Sequence, residues 1–195
     1  MEQLLFGIFS AFGLSASAGL NAYIPLFTIA VIAHFTNWFK LTAPYDALGN
    51  PWVIILLGIL IIIEFLADKI PAVNHVNDLL QTFVRPVAGA IVFAASAQVL
   101  TDISPVVSLA CGLFIAGGVH AAKSLAIRPA VTATTAGAGN VPVSIAEDVL
   151  AALTSFLAIV LPVIIACILA LLTALLIWWL WRRSNASTYE APHQR

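Results

Sequence analysis

The sequence predicts an all-α polytopic membrane protein of about six transmembrane helices, with five as the alternative, some of them broken or kinked. Three observations predict this. Of 195 residues, 62% are hydrophobic and only 9% charged, against roughly 45–50% and 25% in a soluble domain. Mean hydropathy is +1.04. The apolar residues fall into runs long enough to cross a bilayer, and short polar stretches between them hold most of the charge. The formal net charge of −1 offers no footprint for nucleic acid, so the lipid bilayer is the expected partner. Residues 1–183 are expected to form one transmembrane helical domain, and 184–195 a disordered cytoplasmic tail.

The first apolar segment covers residues 4–39, more than a bilayer requires at about 1.5 Å per residue. Its start does not resemble a cleavable leader. Ser15-Ala-Ser-Ala18 has the small residues of a cleavage site, but Glu2 precedes it and no Lys or Arg does. In its middle, Gly13, Ser15, Ser17 and Gly19 permit close helix packing. Gly19, Asn21 and Pro25 offer a second reading, a helix break that frees backbone groups to line a cavity. His34, Trp38 and Lys40 suit a membrane interface.

Pro44, Gly49 and Pro51 break the chain before a second span at 52–67, rich in Ile and Leu. That span ends at Glu64 and Asp68, an i,i+4 pair on one helical face. Both carboxylates can approach one cation there, or form a solvated helix end beside Lys69. The stretch Glu64–Pro86 also holds His75, Asp78 and Arg85. Charges near a bilayer core cost roughly 2.5–3.5 kcal/mol each on insertion scales, so such a cluster suggests function. The plainer reading is a cytoplasmic loop in which Lys69 and Arg85 signal topology.

A third span is expected at 78–100, capped by Asn74 or Asn77, with Asp78 in its first turn. Arg85 then snorkels to the interface or pairs with Asp78 or Glu64, and Pro86 kinks the helix. Gly89, Ala94, Ala95 and Ser96 form a small-residue face. The fourth span, 106–127, ends with His120 and Lys123 one turn apart. A lone histidine in an apolar helix is more often a packing residue than a ligand. Cys111 and Cys167 both lie in apolar runs and read as small core residues, not as a disulfide.

Residues 128–143 form the longest polar stretch, Gly-, Thr- and Ala-rich with few charges. It reads as a loop folded against the protein, with Asn140 available to a site. Its spacing matches no phosphate loop. Ser144 and Glu147 then make a capping box, followed by Asp148. The apolar run 149–181 is interrupted at Pro162 and is either one kinked helix or two spans. Trp178, Trp179 and Trp181 mark an interface, and Arg182-Arg183 stop transfer.

Six spans with both termini inside place Lys69, Arg85, Lys123, Arg128, Arg182 and Arg183 on the cytoplasmic side, with only Lys40 outside. Five spans would put the Lys69 and Arg128 loops outside, against that bias.

A faint internal duplication is also legible. Gly13 through Asn21-Ala resembles Gly112 through His120-Ala, and Pro71 through Asp78 resembles Pro142 through Asp148. A true repeat would bring Asn21, His120, Asp78 and Asp148 into register at a repeat interface.

Four phrases carry a family resemblance: Ser17-Ala-Gly-Leu-Asn-Ala-Tyr-Ile-Pro25, Glu64-Phe-Leu-Ala-Asp-Lys-Ile-Pro71, Leu80-Gln-Thr-Phe-Val-Arg-Pro86 and Val143-Ser-Ile-Ala-Glu-Asp148. Together they resemble a bacterial membrane family, domain of unknown function 4126, over nearly all of the chain except the tail. The resemblance implies a multi-pass protein of the bacterial inner membrane and brings no established activity.

Function therefore rests on the residues. The first expectation is a small transporter or channel for a cation or a proton-coupled solute. Its solute- or ion-binding candidates are Asn21, Glu64, Asp68, His75, Asp78, Arg85, His120, Lys123, Asn140, Glu147 and Asp148. The alternative is a structural or assembly protein whose ion pairs hold the bundle together. A membrane-embedded enzyme acting on lipid through a hard metal or acid–base pair is the weaker third, since no His-Glu-x-x-His helix is present. No catalytic residue, metal or cofactor is assigned. The small-residue faces also make a homodimer an expected arrangement.

Overall fold

A computed structural model describes residues 2–37, 41–100, 103–160 and the isolated positions Ile168, Leu171, Leu175, Trp178 and Arg182, with no side chain described for 2–6, 71–75 and 98–100. The described residues are helical and contain no strand. The order is α1 (Glu2–Leu20), α2 (Tyr23–Phe35), a short 3-10 turn (Tyr45–Gly49), α3 (Pro51–Ala67), α4 (Pro71–Leu100), α5 (Pro105–Ala122), a π turn (Lys123–Ile127), α6 (Arg128–Thr135) and α7 (Asn140–Val160). Three apolar helical segments are long enough to cross a bilayer: Val76–Ala97, Pro105–Thr135 and Asn140–Val160. Three shorter apolar helices join them: Gly7–Leu20, Tyr23–Phe35 and Pro51–Ala67. This is an all-α membrane protein.

The first segment shows both the close packing and the helix break, while the freed Leu20 carbonyl accepts from Lys123 rather than lining a described cavity. The helix breaks after Leu20, and Asn21 Oδ1 accepts from the amides of Tyr23 and Ile24, both at 3.1 Å, so Asn21 starts α2. Upstream, α1 is the central helix and packs on α4, α5 and α7. Its serines donate to carbonyls of its neighbours: Ser10 to Ala158 at 2.7 Å, Ser15 to Gly89 at 2.8 Å and Ser17 to Ala151 at 2.8 Å. In lipid, such bonds and close packing replace the hydrophobic drive between helices.

Small residues set the helix spacing. A Cβ on Gly19 of α1 would stand 2.6 Å from the Ala116 carbonyl oxygen and from Val119 Cβ on α5. One on Gly112 of α5 would meet the Gly89 carbonyl oxygen and, at 2.6 Å, Phe93 Cβ on α4. The face of Gly89, Ala94, Ala95 and Ser96 is buried within the chain's own bundle. Cys111 packs beside Ala11 and Phe93. The outward faces of α3 and α4 expose Ile59, Ile62, Ile63, Leu79 and Phe83, as helices facing lipid do.

Several expectations change. α4 begins at Pro71, so Asp78 lies two turns inside the helix and neither Asn74 nor Asn77 caps it. Asn77 instead donates to Asp68 Oδ1 at 2.8 Å. The expected loop over 128–143 is mostly helix. α5 runs on through the π turn into α6, and only residues 136–139 turn back, with Ala136 at φ 51° and Gly137 at φ 88°. α7 starts at Asn140, so Ser144 and Glu147 are no capping box. Ser144 is buried and donates to Asp68 Oδ2 at 3.1 Å.

Two of the four residues aligned by the internal echo meet: Asn21 Nδ2 donates to Asp148 Oδ1 at 3.0 Å. The packing does not repeat, however. α1 lies along α4, whereas α5 and α7 share no comparable interface among the described residues. Trp38, Lys40, Cys167, Pro162 with the choice between five and six spans, Trp179, Trp181, Arg183 and the tail 184–195 lie outside the described residues, as does the side chain of His75.

Candidate functional site

One buried polar network occupies the end of the bundle where α1 breaks, α3 joins α4 and α6 turns into α7. It begins with Glu64 on the last turn of α3. Its Oε1 accepts from Arg85 Nη2 at 3.0 Å, and both side chains are 1% exposed. Arg85 therefore neither snorkels nor pairs with Asp78. Its other terminal nitrogen, Nη1, lies 3.2 Å from His120 Nδ1. A guanidinium only donates, so Nδ1 accepts and His120 is neutral with its proton on Nε2. Nε2 then donates to Thr82 Oγ1 at 3.2 Å, and Thr82 donates to the Asp78 carbonyl at 2.8 Å. A hydrogen-bonded chain thus runs from buried Glu64 through Arg85 and His120 to exposed Thr82.

Arg128 is the second hub. Nη1 donates to both Asp78 oxygens, at 2.8 and 2.7 Å. Nη2 reaches Asp68 Oδ2 and Glu147 Oε2, each at 3.4 Å. One guanidinium thereby joins the α3–α4 turn, α4 and α7. Lys123 adds a salt bridge to Glu147 at 2.7 Å and donates to the Leu20 carbonyl at 3.1 Å, closing the open C-terminal end of α1. Lys123 and Arg128 are five residues apart, about 140° around an α-helix. The π turn, in which the Arg128 amide donates to the Lys123 carbonyl, brings both onto Glu147.

A third group surrounds the helix break. Asn21 holds Asp148, and Lys69 Nζ stands 3.9 Å from Asp148 Oδ2. Lys69 also donates to the Phe65 carbonyl at 2.9 Å and lies over the Phe65 ring.

Asp68, which follows α3, is the group through which Arg128, Asn77 and Ser144 converge. Burial alone pushes its carboxyl up. The Arg128 charge, the Asn77 amide and the charges of Lys123 and Arg85 together outweigh that and hold it below its ordinary value.

Of the candidates taken from sequence, Asn21, Glu64, Asp68, Asp78, Arg85, His120, Lys123, Glu147 and Asp148 come together in this network. Asn140 stands apart at the α6–α7 turn, where its Oδ1 accepts from Thr132 at 3.0 Å. Five participants were not among the candidates. Arg128 and Lys69 read as topology signals, Asn77 and Ser144 as caps, and Thr82 had no assigned role. The Arg128 role depends on the π turn, which leaves no mark in the spacing of residue types.

Three carboxylates keep a buried oxygen without a hydrogen-bond partner: Glu64 Oε2, Glu147 Oε1 and Asp148 Oδ2. Gln81 Oε1, Ser108 Oγ and the donor Arg85 Nε, also buried, are in the same condition. Among the described residues, no three His, Cys, Asp or Glu side chains are grouped to hold a metal ion. The carboxylates point at guanidinium and ammonium groups instead. Beside the network, an open cleft of about 790 Å³ lies between α4 and α6, with Asp78 and Arg128 in its wall.

No curated protein and no solved structure matches the chain. A family model, described as domain of unknown function (DUF4126), matches residues 8–182, and the chain belongs to that family.

Proposed function

We propose that the protein is a small membrane transporter for a cation or a proton-coupled solute, with the buried network as its coupling site. The observation that carries this reading is the set of orphaned carboxylate oxygens on Glu64, Glu147 and Asp148 inside a bundle of apolar helices. Burying a charge in such surroundings costs several kcal/mol unless its hydrogen bonds are satisfied. Each of these oxygens is an acceptor to which a proton or a cation can attach. The broken α1–α2 helix supports the same reading, since half-helix ends beside polar groups recur at transporter sites. On this reading the protein resides in the bacterial inner membrane with both termini cytoplasmic.

The structural alternative has its own supporting observation: Lys69, Arg85, Lys123 and Arg128 each face at least one carboxylate. Flux measurements on proteoliposomes separate the two. Wild type is compared with Glu64→Gln and Asp148→Asn under imposed proton, sodium and potassium gradients. Transport predicts flux in wild type that both substitutions reduce by at least roughly tenfold in protein that still elutes as a folded peak. Absence of flux for every cation, together with loss of folding in the variants, assigns the network to structure.

A further inference from the structure

We infer that the cleft between α4 and α6 binds an organic ammonium ion, its nitrogen on Asp78 and its apolar body against Val76, Leu79 and Pro129. This supplies the solute class for the transporter reading and rests on that reading for turnover, though not for binding. Size is the first argument. The open cleft has a volume of about 790 Å³, within the range of about 300–1,000 Å³ typical of small-molecule sites. A bare inorganic ion leaves most of it empty.

Charge is the second. The Arg128 cluster joins three carboxylates, Asp68, Asp78 and Glu147, to two cations, Lys123 and Arg128. Among the described residues these groups carry one more negative than positive charge. Asp78 is the member that faces outward, with its side chain 31% exposed against 3% for Asp68 and 8% for Glu147. An anionic ligand would have to compete with these carboxylates for Arg128 and would add a further negative charge beside them.

Hydrogen bonding is the third. The cleft hydroxyls of Thr82 and Thr132 direct their protons within the chain, to the Asp78 carbonyl and to Asn140 Oδ1. With one Thr82 lone pair taken by His120 Nε2, what the two hydroxyls still offer a ligand is lone pairs, which suit a donor such as an alkylammonium N–H. The remaining walls are largely apolar, so the ligand carries hydrocarbon beside its charge.

The experiment is isothermal titration of the full chain in detergent with n-butylammonium, with butyrate as the anion of similar size, and with sodium at equal ionic strength. Saturable binding of butylammonium alone is expected. Ala133→Trp fills the cleft from an exposed wall position that makes no ion pair and should weaken that binding at least roughly tenfold. Asp78→Asn should do the same, but Ala133→Trp decides the matter if Asp78→Asn fails to fold. Equal binding of butyrate, butylammonium affinity unchanged in Ala133→Trp, or no binding at all overturns the inference. Repeating the titration in nanodiscs with and without phosphatidylethanolamine identifies the source of the ammonium. Competition assigns it to the lipid headgroup, no competition to a free amine, and the ammonium chemistry stands in both cases. Cation flux without amine binding refutes this inference alone. Amine binding without flux of butylammonium or of any of the cations refutes the transporter reading alone.

Discussion

Glu64 and Arg85, on neighbouring helices 21 residues apart in sequence, form an ion pair of 3.0 Å that is closed to solvent. Removing one member leaves the other charged and buried, which costs about 3–5 kcal/mol. Arg85→Leu should therefore lower the melting temperature of the detergent-solubilised protein more than the double variant Glu64→Leu/Arg85→Leu does. A double variant as unstable as the single one would show that the pair contributes more than mutual neutralisation.

Arg128 works through its shape as well as its charge. Its two terminal nitrogens serve Asp78 on one side and Asp68 and Glu147 on the other. A lysine ammonium is a point charge and cannot span the same positions. Arg128→Lys is expected to recover less than half of the stability lost in Arg128→Ala, measured as thermal unfolding in one detergent. Full recovery by lysine would mean that charge alone is required.

Asn21 has two separable tasks. Its side-chain oxygen caps α2, and its amide donates to Asp148. Asn21→Ser keeps a cap but loses the amide donor, while Asn21→Ala loses both. The cap is worth about 0.5–2 kcal/mol, and the hydrogen bond to a charged acceptor about 1.5–3 kcal/mol. The expected order of stability is wild type, then serine, then alanine. Equal losses in both variants would remove the capping role.

Asp68 links stability to pH. Burial raises its carboxyl, but Arg128, Asn77, Lys123 and Arg85 together hold it below the ordinary value when folded. The stabilisation is complete above the unfolded value of about 4 and is lost as pH falls through the lower folded value. Melting temperature should thus fall below about pH 4 in wild type, and that acid limb should be shallower in Asp68→Asn. Parallel acid limbs in the two proteins would place the linkage elsewhere.

What the sequence determined was the class of structure and the inventory of unusual residues. Long apolar runs with few charges have one physical outcome in lipid, helices whose backbone groups bond internally. The residues that cannot face lipid, from Asn21 to Asp148, were therefore visible as exceptions. The break at Asn21 was visible too, because Gly19, Asn21 and Pro25 are locally unfavourable to a continuous helix. Partner choice was not visible. Arg85 bonds Glu64 rather than Asp78, and Ser144 bonds Asp68 rather than capping a helix. Arg128 belongs to the network only because a π turn rotates it onto the face of Lys123. Such pairings depend on helix spacing and rotation, which the close contacts at Gly19, Gly89 and Gly112 impose across the bundle. Residue type says that a buried charge needs a partner, and only the packing of distant helices decides which partner it finds.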